Sequence, residues 1–411
     1  MAAQLLPIFA LLVSTTFLLI GNGLHGLLLP LRGTADAFTT TQLGLLGAGY
    51  AVGFVAGCIL TPQIVRRVGH VRAFGAAASC ASVVVLLNGM LVQPELWIAL
   101  RVVSGFCMAA SFMIIESWLN ERASNASRGT IFGLYLTVNY VAVMGGQFLV
   151  AASDHRTMMP FMLGAIAFSL AVVPTSLSKA ASPKPLEAVK IDLRRLHRVS
   201  PVAVVTVLLV GLVNGAFGTL APVFGAQVGL STTLIATMMG VAIVAGAVMQ
   251  LPVGRFSDRL DRRTVIAAGS MGAAFSGLLI LLVRPDAPWL LLALVGIYGA
   301  LSYPLYGLAI SHANDLAKGE NFIGTSAAML LLYGIGTIIG PVVASWAMST
   351  ISPFGLFAVT AGGHGAMALY TVYRTYRRPA ALSDQPGSPI FLGTYNRLSR
   401  LLNRPTSRFG A

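Results

Sequence analysis

A chain of 411 residues with 56% hydrophobic and 10% charged residues cannot cover itself with a water-facing surface, because a soluble domain carries about 25% charge. Its formal net charge of +14 would suit nucleic acid, but the basic residues sit in short loops between apolar runs, which excludes that partner and leaves lipid as the solvent. The three cysteines, Cys58, Cys80 and Cys107, lie inside apolar segments without metal-ligand spacing and read as small packing residues.

Apolar runs of about 20 residues, enough to cross roughly 30 Å of hydrocarbon, fall near 5–31, 42–62, 73–92, 96–119, 129–151, 158–177, 202–224, 233–254, 265–283, 289–311, 322–347 and 354–373. The expected fold class is an all-α membrane protein of twelve transmembrane helices. Residues 1–177 form an N-terminal six-helix bundle and 201–373 a C-terminal one; 178–200 is a basic linker and 374–411 a basic tail. The first run has no Lys or Arg ahead of it, so it reads as a span rather than a cleaved signal. Within the linker, Leu186–Val199 suits either a short amphipathic helix or a solvated tether drawn to anionic lipid.

Orientation follows from the loops. One side collects 23 Lys and Arg, among them Arg66, Arg67, Arg72, Arg122, Arg128, Arg255, Arg259, Arg262, Arg263 and Lys318; the other holds Arg32, Arg156 and Arg284. Lys and Arg accumulate on cytoplasmic loops, so both termini are expected in the cytoplasm.

The two halves align with a shift of 192 residues. Asn22-Gly23 falls on Asn214-Gly215, Pro30 on Pro222, and Arg66-Arg67-Val68 on Asp258-Arg259-Leu260; after a three-residue slip Gly145 meets Gly340. Two parallel repeats joined by a long linker suit a transporter that rocks one half against the other.

These residues resemble the major facilitator superfamily. Gly254-Arg-Phe-Ser-Asp258-Arg259-Leu-Asp261-Arg262-Arg263 is similar to its cytoplasmic loop signature, with Asp where the final Gly usually stands. Arg66-Arg67-Val-Gly69-His70 is a degenerate copy, and Arg101-Val-Val-Ser-Gly105 is similar to the family's Arg-x-x-x-Gly pattern in helix 4. Gly336-x-x-x-Gly340-Pro341 is like the antiporter motif of helix 5 but stands in helix 11, so it argues little for antiport. Glu116-Ser-Trp, Arg128-Gly, Tyr135, Tyr140 and Gly146-Gln147 together resemble the YcaD-like branch. The resemblance implies two pseudo-symmetric bundles around a central cavity in the bacterial cytoplasmic membrane, with helices 1 and 4 lining it.

Several residues stand out for mechanism. Arg101 lies inside helix 4, where a cation is costly unless paired or hydrated; it either binds a polar or anionic substrate group, biases a proton site, or snorkels outward past Glu95. His25 has the pKa range of a proton carrier, or is a packed histidine bonded to a neighbouring helix. Asn22 and Asn214 occupy equivalent mid-helix sites and offer either substrate hydrogen bonds or helix-packing bonds. Tyr140, Gln147, Tyr303, Tyr306 and Tyr333 are polar-tipped residues that suit a cavity wall, although most buried tyrosines are simply satisfied core residues. The glycine series Gly49-x-x-x-Gly53-x-x-x-Gly57 gives helix 2 a face for close backbone contact.

The remaining charges read as a cytoplasmic gate: Arg66, Arg67, Glu116, Arg128, Asp258, Arg259, Arg262 and Asp315. Asp258 is expected near the start of helix 5 beside Arg128, and Asp315 or Glu320 opposite Arg66 or Arg67, holding that side shut in the outward-facing state. Glu116, roughly 22 Å from Arg101 along the helix, has Arg67 or Arg128 as its natural partner, or carries a proton.

No Gly-x-x-x-x-Gly-Lys-Ser/Thr motif exists among four lysines, so the chain lacks its own ATP site. No span offers paired carboxylates, a His cluster or a nucleophile–base pair, which argues against an enzyme. The expected function is secondary transport of a small organic solute by alternating access, coupled to protons, by a monomer that needs neither metal nor cofactor. A drug or metabolite efflux antiporter and a non-transporting membrane sensor are the alternatives.

Overall fold

The computed structural model describes residues 2–122, 128–177, 193–316 and 322–377. All regular structure among them is helical. The first half contains α1 (Ala2–Ala35), α2 (Thr40–Val68), α3 (His70–Met90), α4 (Pro94–Arg122), α5 (Arg128–Ala151) and α6 (Met159–Leu177). After the short α7 (Leu193–Val199), the second contains α8 (Pro201–Gln227), α9 (Thr232–Arg259), α10 (Arg262–Val283), α11 (Pro288–Ser302), α12 (Pro304–Leu316), α13 (Phe322–Thr350) and α14 (Gly355–Arg377).

The helices start where local chemistry satisfies their free N–H groups. Thr39 and Gln42 close a capping box at α2, Ser231 caps α9, and Asp261 caps α10. The aligned position in the first half is Gly69, whose φ of 82° lets α2 turn into α3 within one residue. The loop signature and its degenerate copy thus make the same corner by different means.

Among the described residues, eleven stretches are long and apolar enough to cross a membrane, with α11 and α12 forming one of them, Pro288–Leu316. Eleven of the expected spans meet these stretches. The twelfth falls on α14, whose 23 residues reach about 34 Å but whose Gly, Thr, His and Arg dilute its apolar character. The tenth span is broken at Tyr303, where Pro304 removes a backbone donor.

The repeat is visible in the packing. α2 packs most extensively on α4, α1 on α5 and α6, and α3 on α6 and α4; correspondingly α9 packs on α11, α8 on α13 and α14, and α10 on α14 and α11. Glycines set the close approaches in both halves. A Cβ on Gly146 would strike the backbone of Ile20 and Leu24, and one on Gly340 that of Leu212 and Ala216. The Gly336–Gly340 pair therefore serves the α8–α13 contact.

Large apolar side chains such as Val83, Ile166, Val248, Leu251, Phe275, Leu282, Trp346 and Leu369 remain exposed on the helices, the surface expected of a protein solvated by lipid. α7 holds the described part of the suspected amphipathic helix, and its Leu196 is buried against Ala203, Val207, Ala309, Ala313, Ala328 and Met329. Residues 178–192 and the tail beyond Arg377 lie outside the described residues.

Candidate functional site

The bundle has a basic end, where α1 begins, α2 and α9 turn into the next helix and α6 and α14 end, and a far end, carrying the loops at 36–39, 91–93, 152–158, 228–231, 284–287 and 351–354. The halves meet toward the far end along α2 with α13 and α8, α1 with α8, and α5 with α9. Gln227 Nε2 donates to Thr40 Oγ1 at 3.1 Å. Gly44 lies against Ser345 and Pro341, Gly47 against Thr219, and Gly240 against Met144.

Beneath this seam Arg101 turns from α4 toward α2 and not outward toward Glu95. Its Nε donates to the Leu46 carbonyl at 3.4 Å, and its guanidinium stacks 4.3 Å from the centre of the Tyr50 ring. Tyr50 Oη donates to Asn22 Oδ1 at 3.4 Å. Arg101, Tyr50 and Asn22 thus join α4, α2 and α1, and all three keep partial exposure. The α2–α4 contact positions them: Gly49, Gly53 and Gly57 meet the backbone of Ile98, Val102 and Phe106, and Gly105 meets that of Tyr50. The glycine face seen in the sequence is this interface.

His25 stands behind the triad. Its ring is buried and its Nε2 lies 3.1 Å from Asn88 Oδ1 on α3, the bonded-to-a-neighbouring-helix arrangement, with Arg101 within electrostatic reach. Gln147 is also buried, and its Oε1 has no partner.

The second half contributes tyrosines. Tyr306 and Tyr333 stack edge to face with centroids 5.0 Å apart, and the Tyr333 hydroxyl lies within hydrogen-bonding reach of Asn214. Tyr303, at the α11–α12 break, packs on Gly246. Asn22 thus accepts from a tyrosine of α2, whereas α8, which carries Asn214, meets α13 at the Tyr333 backbone.

Glu116 lies toward the basic end of α4. Tyr135 Oη donates to its Oε1 at 3.2 Å, no described cation pairs with it, and its side chain is exposed while lying near Tyr306 of the other half. Arg67 forms no ion pair with it and is exposed; the Arg128 side chain lies outside the described residues.

The ion pairs at the basic end lie within the second half. Arg262 bridges Asp258 at 3.0 Å and Asp315 at 2.6 Å, and also donates to Ser257 Oγ at 2.9 Å. In this state Asp315 is therefore held by Arg262 and not by Arg66 or Arg67, which are exposed along with Arg259. Asp258, at the end of α9, is likewise engaged by Arg262 from the first turn of α10. Glu320 and Lys318 lie outside the described residues. Asp261 is hydrogen-bonded to Arg263 through side chain and backbone; burial acts to raise its pKa, and these bonds outweigh it and hold the carboxyl below its ordinary range.

Sequence reasoning missed Tyr50, Asn88 and the His364 cluster. His364 is fully buried on α14, with Nδ1 2.8 Å from the Thr360 carbonyl and Nε2 3.0 Å from Ser302 Oγ, next to the α11–α12 break. Tyr50 carries one signal: it is the polar-tipped residue beside Gly49 on a helix face otherwise made of glycine.

The family model described as Major Facilitator Superfamily matches residues 11–319 and again 204–407. The chain belongs to that superfamily. It is 26% identical over 365 residues to the uncharacterized MFS-type transporter YcaD of Escherichia coli O7:K1 (strain IAI39 / ExPEC), covering 86% of this chain and 92% of the relative. Its YcaD counterpart in Shigella flexneri matches equally. Among solved structures, the nucleoside transporter NupG superposes with a TM-score of 0.71 at 15% identity, covering 91% of this chain and 99% of that one. A bacterial homolog of the human lysosomal transporter Spinster, inward-facing and occupied, gives 0.68 at 15% identity over 89% and 93%. These superpositions establish the shared fold. The chain is thus a multi-pass membrane protein of a transporter family and not an enzyme.

Proposed function

We propose that this chain is a secondary active transporter that moves a small organic solute across the cytoplasmic membrane by alternating access. The supporting observation is that polar groups from both halves, Asn22, Tyr50, Arg101 and Tyr140 on one side and Asn214, Tyr303, Tyr306 and Tyr333 on the other, lie within the spans, on the basic-end side of a seam that joins the halves toward the far end. In this reading α14 is the twelfth span, the basic end is cytoplasmic, and the structure is an inward-facing state. The halves are 1–177 and 201–373, joined by the 178–200 linker, with a cytoplasmic tail over 374–411. Arg66, Arg67, Arg128, Asp258, Arg259, Arg262 and Asp315 re-pair across the basic end when it closes.

The coupling ion is a proton, carried by Glu116. A carboxylate that accepts from a neutral tyrosine and has no counter-cation changes charge with little structural cost when protonated, and its exposure gives it a path to water. Counterflow in proteoliposomes tests transport: wild type preloaded with a mixed metabolite set should accumulate labelled solute, and failure to exchange any solute of the set sinks the transporter reading. A pH gradient should accelerate net uptake by wild type and leave Glu116→Gln unaffected; equal acceleration of both removes Glu116 from the coupling.

A further inference from the structure

The Arg101 guanidinium has three features that together ask for a ligand. Its Nε edge is committed to the Leu46 carbonyl, and one face is covered by Tyr50. Its two Nη groups have no protein acceptor among the described residues, and the side chain keeps partial exposure. Arginine cannot shed its proton in a protein, so this charge persists in the membrane interior, where an unpaired cation is costly. The terminal edge of a guanidinium is a planar pair of donors that matches a carboxylate bidentately. Asn22 is linked to it through Tyr50. Its Oδ1 is used by the Tyr50 hydroxyl, which leaves its Nδ2 as a free donor.

We propose that Arg101 and Asn22 form the receptor for the carboxylate of an organic monoanion, the solute's charged headgroup. This deepens the transport reading and rests on it. The charge inventory sets the class. Arg101 is the one permanent cation at this depth among the described residues, so a single negative charge is neutralised and a dianion is not. No described carboxylate pairs with it: on α4 Glu95 stands about 9 Å away at the outer end of the helix and Glu116 roughly 22 Å away toward the other end, so an ammonium beside the carboxylate finds no acid on the Arg101 turn of the helix. The Tyr50 ring against the guanidinium offers an aromatic surface to an apolar or aromatic body. Binding would remove the unpaired charge from the interior, so the loaded carrier closes over its cargo more readily than the empty one.

The test is binding to purified full-length protein, read by thermal shift and calorimetry, with benzoate and lactate against their uncharged amides, and with inorganic phosphate and uridine as controls. Wild type should be stabilised by benzoate or lactate and not by benzamide or lactamide. Arg101→Lys should bind at least about tenfold more weakly, because it keeps the charge and loses the fork. Arg101→Gln should not bind, yet its unliganded melting temperature should equal or exceed that of wild type, because an unpaired charge has been removed.

Four results overturn the proposal: no shift by any carboxylate, equal shifts by acid and amide, equal or larger shifts by phosphate, or a fall of several degrees in unliganded Arg101→Gln with carboxylate binding intact. Should Arg101→Gln fail to fold, the acid-against-amide comparison in wild type decides alone. Carboxylate binding without counterflow sinks the transport reading and keeps the receptor. Counterflow of uridine without carboxylate binding does the reverse.

Discussion

The substitution Gly53→Ala isolates the α2–α4 interface. A Cβ on Gly53 would lie inside the contact shell of the Val102 carbonyl oxygen, 2.6 Å from its carbon and 2.9 Å from its Cα. Apolar carbons settle at about 3.5–4.0 Å, so the helices must part by about 1 Å, and the atoms in the way are backbone that cannot rotate aside. Overpacking of this kind costs about 1–3 kcal/mol and occasionally more. The same displacement lengthens the Arg101–Leu46 bond, already 3.4 Å, and lifts the guanidinium off Tyr50, so solute binding falls with stability. Gly133→Ala is the control: on exposed α5 its Cβ meets nothing within 4 Å, and the gain in helix propensity of roughly 0.5–1 kcal/mol should stabilise. Thermal unfolding in a single detergent, followed by intrinsic fluorescence, should separate the two in opposite directions from wild type. A Gly53→Ala protein as stable as Gly133→Ala would refute the interlocked interface.

Arg262→Ala should lower stability by less than about 2 kcal/mol, since its pairs with Asp258 and Asp315 are solvent-accessible, yet it should free both acids for closure of the basic end. Spin labels at Val68 and Leu260 should then show a larger short-distance population, and an unchanged or longer distribution contradicts the gate. His25→Gln should cost roughly 1–3 kcal/mol by orphaning the Asn88 acceptor while the pH dependence of exchange stays as in wild type; loss of that dependence would return His25 to the coupling path. Asp261 is depressed in the folded state, so its contribution is present above the ordinary carboxylate pKa of about 4 and is lost as pH falls through the folded value. Asp261→Asn should therefore melt below wild type at pH 6, with the gap narrowing below about pH 4; a gap independent of pH contradicts this.

The spans, the halves and the glycine face were legible because lipid and backbone sterics act on residue type alone. Hydrocarbon demands about 20 apolar residues per crossing, and Gly49, Gly53 and Gly57 fit one helix face whatever they meet. α14 satisfies the length and blurs the composition, because His364 and Thr360 on it are bonded inside the half, where polar groups need not be soluble in lipid. Partnership was far less legible. Arg101 announces itself as a buried cation, but its Tyr50 and Leu46 partners lie over 50 residues away on another helix, and nothing local in either segment names the other. Glu116 invited an ion pair with Arg67 or Arg128; the fold adds a tyrosine hydroxyl from α5 that nothing in the sequence announced. The α11–α12 break has a visible cause in Pro304, yet prolines at 62, 174, 222, 252 and 341 sit inside unbroken helices, so proline alone does not separate the cases.

The asymmetry of the halves has a mechanical consequence. Arg101 and Glu116 share one helix, α4, which is locked to α2 by backbone contacts at Gly53 and Gly105. α2 in turn carries the seam with α8 and α13. A charge change at Arg101 therefore acts on the pair of helices that hold the far end shut, while a charge change at Glu116 acts on the opposite end of the same rigid pair, facing Tyr306. The second half has no counterpart: position 293 and position 308, which align with Arg101 and Glu116, are Ala and Leu, and its helix at that place is broken at Tyr303. The proposed cycle thus places both charge-changing events on an unbroken helix of the first half and gives the second half the flexible span and the salt-bridge cluster around Arg262. A rigid element that carries the charges and a jointed one that closes around them is the division of labour that two unequal copies of one bundle permit and two identical copies would not.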